Sequence, residues 1–375
     1  MSTLPCLHKP SMLTSSELQW QRIIWGIKDQ TYKKTMSVRD SYRIAIIGCG
    51  AAAELLYLPA LVRFPSVRKN LILVDRNEER ARDLAEKFNL RNCQNDYRNV
   101  LSKQLDGVII ATPSHLHYPI AMDFLSNGVH VLCEKPLADS AEEAKDMIDL
   151  AGRNGVMLLA NYQRRLYASN LKVKELLSKG EIGEPLAIKY FEGEEFSWPT
   201  VSGFYFDTRV SSKGVLLDRG AHVLDLICWW LDVKPKTLVS ENDSFGGREA
   251  VARIQFEHKK CFGEVTLSLL GKFPCVFSVE CEQGTISGDI YDFQSIILST
   301  KSGREKRLKF KTNEKYYTDF GYTIVMNFLN ALSKNAYPLV SGENVLKSVE
   351  WIDDCYAAAT RFNMPWYDFI ESDNG

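Results

Sequence analysis

From Tyr42 to Leu159 short apolar runs alternate with longer amphipathic stretches. Arg43-Ile44-Ala45-Ile46-Ile47, Leu71-Ile72-Leu73-Val74, Gly107-Val108-Ile109-Ile110-Ala111, Val129-His130-Val131-Leu132 and Val156-Met157-Leu158-Leu159 read as strands, with a further short one near Asn92. Ala51 to Phe64, Glu78 to Phe88, Tyr118 to Ser126 and Ser140 to Asn154 read as the helices between them. Buried strands joined through helices predict a parallel, doubly wound sheet with its ligand crevice at the carboxyl ends of the strands.

Beyond about residue 185 the rhythm changes. Leu186 to Phe191, Ala250 to Phe256, Phe262 to Leu269, Val276 to Glu280 and Ser295 to Leu298 are extended runs, several alternating apolar and polar. They predict an antiparallel sheet with one face buried and the other open to a partner. Helices are expected at Ala221 to Trp230, Phe320 to Leu332 and Glu343 to Phe362. Ahead of the first strand, Leu18, Ile23, Ile24 and Ile27 follow a Thr14-Ser15-Ser16-Glu17 start signal and suggest one amphipathic helix. The expected organisation is an extension over 1–40, a domain built on the doubly wound sheet over 41–165 and a second domain over 166–375. A length of 375 residues suits two domains.

Composition narrows the function classes. With 46 Lys+Arg against 47 Asp+Glu the formal charge is −1, which gives no electrostatic case for nucleic acid or an anionic membrane surface. The nine cysteines include no C-x-x-C pair and no cluster at zinc-like spacing, so free thiols in a reducing compartment and no metal are expected. No apolar run reaches the ~18–20 residues that span a bilayer, and the start lacks a signal-peptide pattern; a cytoplasmic protein is the expectation.

Five segments carry chemistry. Gly48-Cys49-Gly50-Ala51-Ala52-Ala53 joins the first strand to its helix as G-x-G-x-x-A, where glycines permit a tight turn and close approach to a pyrophosphate and the helix N-terminus favours its charge. Asp75 ends the second strand, where a carboxylate can accept from adenosine ribose hydroxyls. This favours NAD, although the adjacent Arg76 could pair with the 2′-phosphate of NADP. Thr112-Pro113 and His117 follow the strand ending at Ala111 and would shape the cofactor floor, His117 chiefly by structural hydrogen bonding. Glu134-Lys135-Pro136 lies at another carboxyl end, where the ammonium could polarise a substrate oxygen and the carboxylate hold a ribose hydroxyl.

The fifth segment runs from Gly214 to Asp225 and sets Asp218 and His222 one helical turn apart, so one side chain can orient a hydroxyl while the imidazole takes its proton. Asp225, a further turn on, could support the histidine. In Asn161-Tyr162-Gln163-Arg164-Arg165 an arginine, Arg165 foremost, either reaches the cofactor or substrate or makes a salt bridge between domains. Trp198, Tyr205, Asp207 and Arg209 offer aromatic and polar groups suited to a carbohydrate ring, whereas Trp229 and Trp230 belong in the core.

Together with Leu58-Pro59-Ala60-Leu61 and Ala111-Thr112-Pro113, these motifs resemble the family named for glucose-fructose oxidoreductase, inositol dehydrogenase and the rhizopine-catabolism protein MocA, over about residues 42 to 362. The resemblance implies an α/β protein: an N-terminal Rossmann doubly wound parallel sheet, then a C-terminal α/β domain with a large open, mainly antiparallel sheet. It implies NAD(P)-dependent redox chemistry on a sugar, sugar phosphate, nucleotide sugar or inositol, in a homodimer or homotetramer. Lys135 takes the place of the catalytic lysine, His222 of the general acid/base and Asp218 of the substrate-orienting carboxylate. Ser212-Lys213-Gly214 departs from the family's glycine run, and Lys213 is expected to alter the substrate mouth. Two alternatives stay open: transient oxidation by a tightly held NAD during elimination or glycoside hydrolysis, and an NAD(H)-binding regulator without turnover.

Overall fold

The computed structural model describes residues 41–200, 203–207, 213–244, 247–334 and 338–363. The helix expected near the start, the segment around Ser212, and Arg209 lie outside them. Six parallel strands form the first sheet: β1 (Ile44–Ile47), β2 (Ile72–Val74), β3 (Asn92–Gln94), β4 (Gly107–Ile110), β5 (His130–Glu134) and β6 (Leu158–Asn161), in the order β3-β2-β1-β4-β5-β6. The order reverses between β1 and β4. The loops after β1, β4 and β5 therefore gather at one crevice, as a doubly wound sheet requires.

The connecting helices follow their sequence signals. Ser140 caps Ala141–Asn154 by accepting from the Glu143 amide, and Gly155 ends that helix at φ +63°. The first helix is less regular than its pattern suggests. From Ala53 to Tyr57 it widens into a π turn before continuing as Leu58–Leu61. Pro59 supplies a reason, since it brings no N–H and its ring crowds the carbonyl four residues back.

The second sheet has nine strands: β7 (Pro185–Gly193), β8 (Lys236–Asn242), β9 (Val251–His258), β10 (Cys261–Ser268), β11 (Phe273–Cys281), β12 (Gly284–Asp289), β13 (Ser295–Thr300), β14 (Glu305–Lys309) and β15 (Thr360–Arg361). Their order is β14-β13-β12-β11-β7-β10-β9-β8-β15, antiparallel except for β7 with β10 and β8 with β15. Four of these strands, β8, β12, β14 and β15, were not expected. β14 reads Glu-Lys-Arg-Leu-Lys and is exposed throughout most of its length, so no apolar alternation marks it. β15 follows a helix that stops at Ala357 rather than running to Phe362. The helix Ala168–Ser178 was also unforeseen, its hydrophobic face being interrupted by buried Ser169 and Asn170.

The helix Val215–Leu231 begins six residues before its expected start and lies almost wholly buried against the second sheet. Glu249 explains where it begins. Its carboxylate accepts from the amides of Gly214 (2.9 Å) and Leu216 (3.0 Å), while its carbonyl takes that of Val215. This supplies acceptors to the donors a helix start leaves unpaired. Helices from the end of the chain return to the first sheet: a Cβ on Gly107 would stand 2.6 Å from the Phe328 ring, and one on Gly321 would stand 2.2 Å from the Leu56 carbonyl.

Candidate active site

The two glycines of the first loop differ in their surroundings. Gly48 sits at φ +98°, and a Cβ there would come within 2.6 Å of the Ala111 carbonyl, so the turn after β1 admits no side chain. A Cβ on Gly50 would meet nothing within 4 Å. Gly48 is thus fixed by the fold, while Gly50 keeps open a space beside the helix start formed by Ala51 and Ala52, as close approach of a pyrophosphate needs. Asp75 Oδ2 accepts from the Cys49 amide at 2.8 Å and Oδ1 from the Asn77 amide at 2.8 Å. The same carboxylate therefore shapes the glycine loop and ends β2 where a ribose would lie. Arg76 is exposed beside it and makes no ion pair among the described residues. These residues fit a dinucleotide.

The floor comes from the loops after β4 and β5. His117 is 1% exposed, with Nδ1 2.7 Å from the Pro136 carbonyl and Nε2 2.9 Å from the Thr112 carbonyl. Donation to both carbonyls at once needs the imidazolium, and burial, the largest influence, lowers its pKa despite those carbonyls. His117 ties the two loops together from beneath; it does not itself line the cofactor surface. Thr112 Oγ1 is buried with no hydrogen-bond partner and Pro113 is partly exposed beside it, leaving this stretch of floor with an unmet polar atom.

Glu134 Oε1 accepts from Tyr57 Oη at 2.6 Å and Asn161 Nδ2 at 2.8 Å, and Oε2 accepts from the Lys135 amide at 3.1 Å. Tyr57 escaped sequence reasoning because an aromatic residue at a buried helical position carries no polar signal. Lys135 Nζ donates to Asp218 Oδ1 at 2.5 Å and to the Asp218 carbonyl at 3.0 Å, joining the loop after β5 to the helix Val215–Leu231. Tyr205 Oη donates to Asp218 Oδ2 at 3.2 Å, and its ring stacks on Phe196 at 4.2 Å. Burial would raise the Asp218 carboxyl, but the Lys135 charge and hydrogen bond, with the Tyr205 hydroxyl, hold it below its ordinary value.

One turn along, His222 is 6% exposed and Tyr162 meets its ring edge-on at 6.3 Å. Its Nδ1 is buried without a partner, which leaves Nε2 as the nitrogen a ligand can meet. Burial first, then the charges of Lys135 and Arg164, push the imidazole well below its ordinary value. It is neutral at neutral pH. Asp225 does not back it, contrary to the spacing argument. Asp225 instead binds Arg165 through two bonds of 2.7 Å, and Arg165 also donates to the Asn344 carbonyl and lies over Trp229.

Arg165 is therefore a buried brace, 3% exposed, and not an arm reaching the cofactor or substrate. Arg164 is committed likewise, to Glu192 at 2.6 and 2.7 Å and to Tyr190 Oη. Lys213 has its ammonium donating to the Asp139 carbonyl, 3.4 Å from Asp353 and 5.1 Å from the Tyr356 ring centre. Trp198 is 41% exposed and meets Tyr317, a residue with no sequence signal, edge-on at 6.1 Å. Trp229 and Trp230 are buried, as expected. Among the described residues no cluster suits a metal ion, and no helix is long and apolar enough to cross a membrane.

A doubly wound parallel sheet with a glycine turn after its first strand has the form of a dinucleotide-binding domain. Residues 42–162 match the oxidoreductase family with NAD-binding Rossmann fold, and residues 170–287 match the GFO/IDH/MocA C-terminal domain. The chain belongs to the Gfo/Idh/MocA oxidoreductase family. It is 32% identical over 180 residues to levoglucosan dehydrogenase of Pseudarthrobacter phenanthrenivorans, covering 47% of this chain and 45% of that one. It is 28% identical to the scyllo-inositol 2-dehydrogenase (NADP(+)) IolW of Bacillus subtilis, covering 50% and 51%. The chain thus spans about half the length of the curated relatives it matches. An oxidoreductase from Agrobacterium radiobacter, solved with NAD+, L-tartaric acid and magnesium, superposes with a TM-score of 0.73 at 20% identity, over 85% of this chain and 96% of that one; the likeness is one of fold.

Proposed function

We propose that the protein is an NAD(P)-dependent oxidoreductase that interconverts a secondary alcohol and a ketone on a sugar or cyclitol. The observation that carries this reading is the Lys135–Asp218 pair, one helical turn from His222, at the carboxyl edge of a sheet whose glycine loop fits a dinucleotide. A bound nicotinamide supplies the hydride acceptor, or the donor in reverse. Lys135 stabilises negative charge developing on the reacting oxygen, and His222 Nε2 takes the hydroxyl proton or returns it to a ketone. Asp218, kept ionised by Lys135, accepts from a neighbouring hydroxyl and orients the substrate.

NAD is favoured because a 2′-phosphate would meet the Asp75 carboxylate, with Arg76 placed to admit NADP. The relatives' substrates, an anhydrosugar and an inositol by name, support a ring-shaped polyol. A second copy of the chain would sit on the outer face of the second sheet, where Leu238, Phe262 and Val276 are exposed. Light scattering tests that assembly; a monomer at micromolar concentration counts against it. The activity is tested by following nicotinamide absorbance with both cofactors over a panel of sugars, nucleotide sugars and inositols. Bound cofactor with no turnover of any of them would refute the enzyme reading.

A further inference from the structure

Tyr317 lies far along the chain from every motif of the site, in the short turn Tyr317–Asp319 ahead of the helix Phe320–Leu332. The turn is held from both sides. Asp319 Oδ2 accepts from the amides of Lys315 (2.7 Å) and Tyr316 (2.9 Å), and Gly321 packs so tightly on the Leu56 carbonyl that no Cβ fits between. Leu56 belongs to the π turn that carries Tyr57 to Glu134. Tyr317 is thereby pinned at the edge of the crevice, next to the support of the Glu134-Lys135 loop.

Its partner comes from the other side. The strand β7 leads into the loop carrying Phe196, whose amide donates to the Leu269 carbonyl and whose ring stacks on Tyr205, the tyrosine bonded to Asp218. Two residues on, Trp198 meets Tyr317 edge to face. Both residues are exposed by more than a third, and each is tied to a segment that also supports the Lys135–Asp218 pair: Tyr317 through Leu56 and Tyr57, Trp198 through Phe196 and Tyr205. Two exposed large aromatics in edge-on contact, beside charged and hydroxyl-bearing side chains, suit a ligand with an apolar face and hydroxyl edges.

We infer that Tyr317 and Trp198 form an aromatic wall that selects a ring-shaped polyol, packing against its C–H face while the Lys135, Asp218 and His222 group holds its hydroxyl edge. This rests on the proposed oxidoreductase reading for its chemistry but not for its binding. An open-chain polyol offers the same hydroxyls without a flat apolar face, so the wall discriminates by shape.

The test is calorimetric titration of the NAD+-loaded protein with methyl glucoside, an inositol and sorbitol, in wild type, Y317F, Y317A and W198A, alongside steady-state kinetics. The expected result is ring affinity lowered about tenfold in Y317A and W198A, a loss appropriate to removing one aromatic contact. Sorbitol affinity should stay unchanged, Y317F should lose much less than Y317A, and KM should rise with kcat little altered. Wild-type ring preference surviving in Y317A overturns the inference even if the enzyme is active, as does a wild type that binds no ring. Tyr317-dependent ring binding without nicotinamide reduction sustains the wall and refutes the proposed activity instead.

Discussion

The helix Val215–Leu231 carries two carboxylates, Asp218 and Asp225, two turns apart, and each meets a cation from a loop of the first sheet. The pairs are alike in formal charge and opposite in character. Asp218 takes the point charge of Lys135 at the cleft, with Tyr205 on its other oxygen and both side chains partly exposed. Asp225 takes the planar fork of Arg165 with both oxygens, sealed from solvent. At Asp225 burial outweighs the arginine and raises the carboxyl; at Asp218 the lysine and tyrosine outweigh burial and lower it. The helix is thus anchored at Asp225 by a sealed pair, while Asp218 stays ionised and partly exposed.

Breaking the open end should cost activity and spare the fold. H222Q is expected to lower kcat about 10²- to 10⁴-fold, the usual range for a lost general acid/base, with NAD(H) affinity by fluorescence titration unchanged. Unchanged turnover would remove His222 from the chemistry. Breaking the sealed end should do the reverse. R165M leaves Asp225 buried without its partner and is expected to cost about 3–5 kcal/mol by urea unfolding, most of it recovered in the R165M/D225L double variant. Equal stability of the single variant would show that the pair does not anchor the helix.

A finer test uses pH. The proposed base role requires neutral His222, and its pKa is depressed, so kcat/KM should be level across neutral pH and fall only well below the ordinary imidazole value of 6.5. K135M removes a nearby positive charge, so in its residual activity that acid limb should move up towards 6.5. A limb that stays in place would mean that Lys135 does not act on the imidazole. Stability has the same sign: the unfolded chain binds a proton near 6.5 that folded His222 refuses, so folding weakens as pH falls below that value. At the glycine loop the contrast lies between neighbouring positions. G50A should keep its thermal midpoint and bind NAD+ less tightly, whereas G48A should lose both; equal behaviour would contradict the difference in their surroundings.

What could be read in the sequence was local. The turn from Gly48 to Ala53, Asp75, Glu134-Lys135 and the one-turn spacing of Asp218 and His222 each fit within a few residues, and their elements are marked by strong apolar periodicity. What could not be read was pairing over distance. Nothing near Arg165 says that Asp225 lies opposite it, nor that Asp225 is thereby withdrawn from His222. The same holds for Tyr57 under Glu134 and for Tyr317, ordinary aromatics whose roles come from where the chain returns. The two parallel pairings within the second sheet, β7 with β10 and β8 with β15, join strands well separated in sequence, and only packing selects them.

The seating of Gly321 on Leu56 and of Phe328 on Gly107 also sets an order in time. During synthesis the nucleotide-binding half emerges first, with the faces at Leu56 and Gly107 uncovered. At about 5–20 residues per second the helix that covers them follows Leu56 by roughly 13–53 s. Over that interval the glycine loop's own helix lacks its outer support, and the young chain exposes surface at Leu56 and Gly107 that is later covered. Closing the first sheet with a helix made so long after it is expected to appear as a slow late step in refolding.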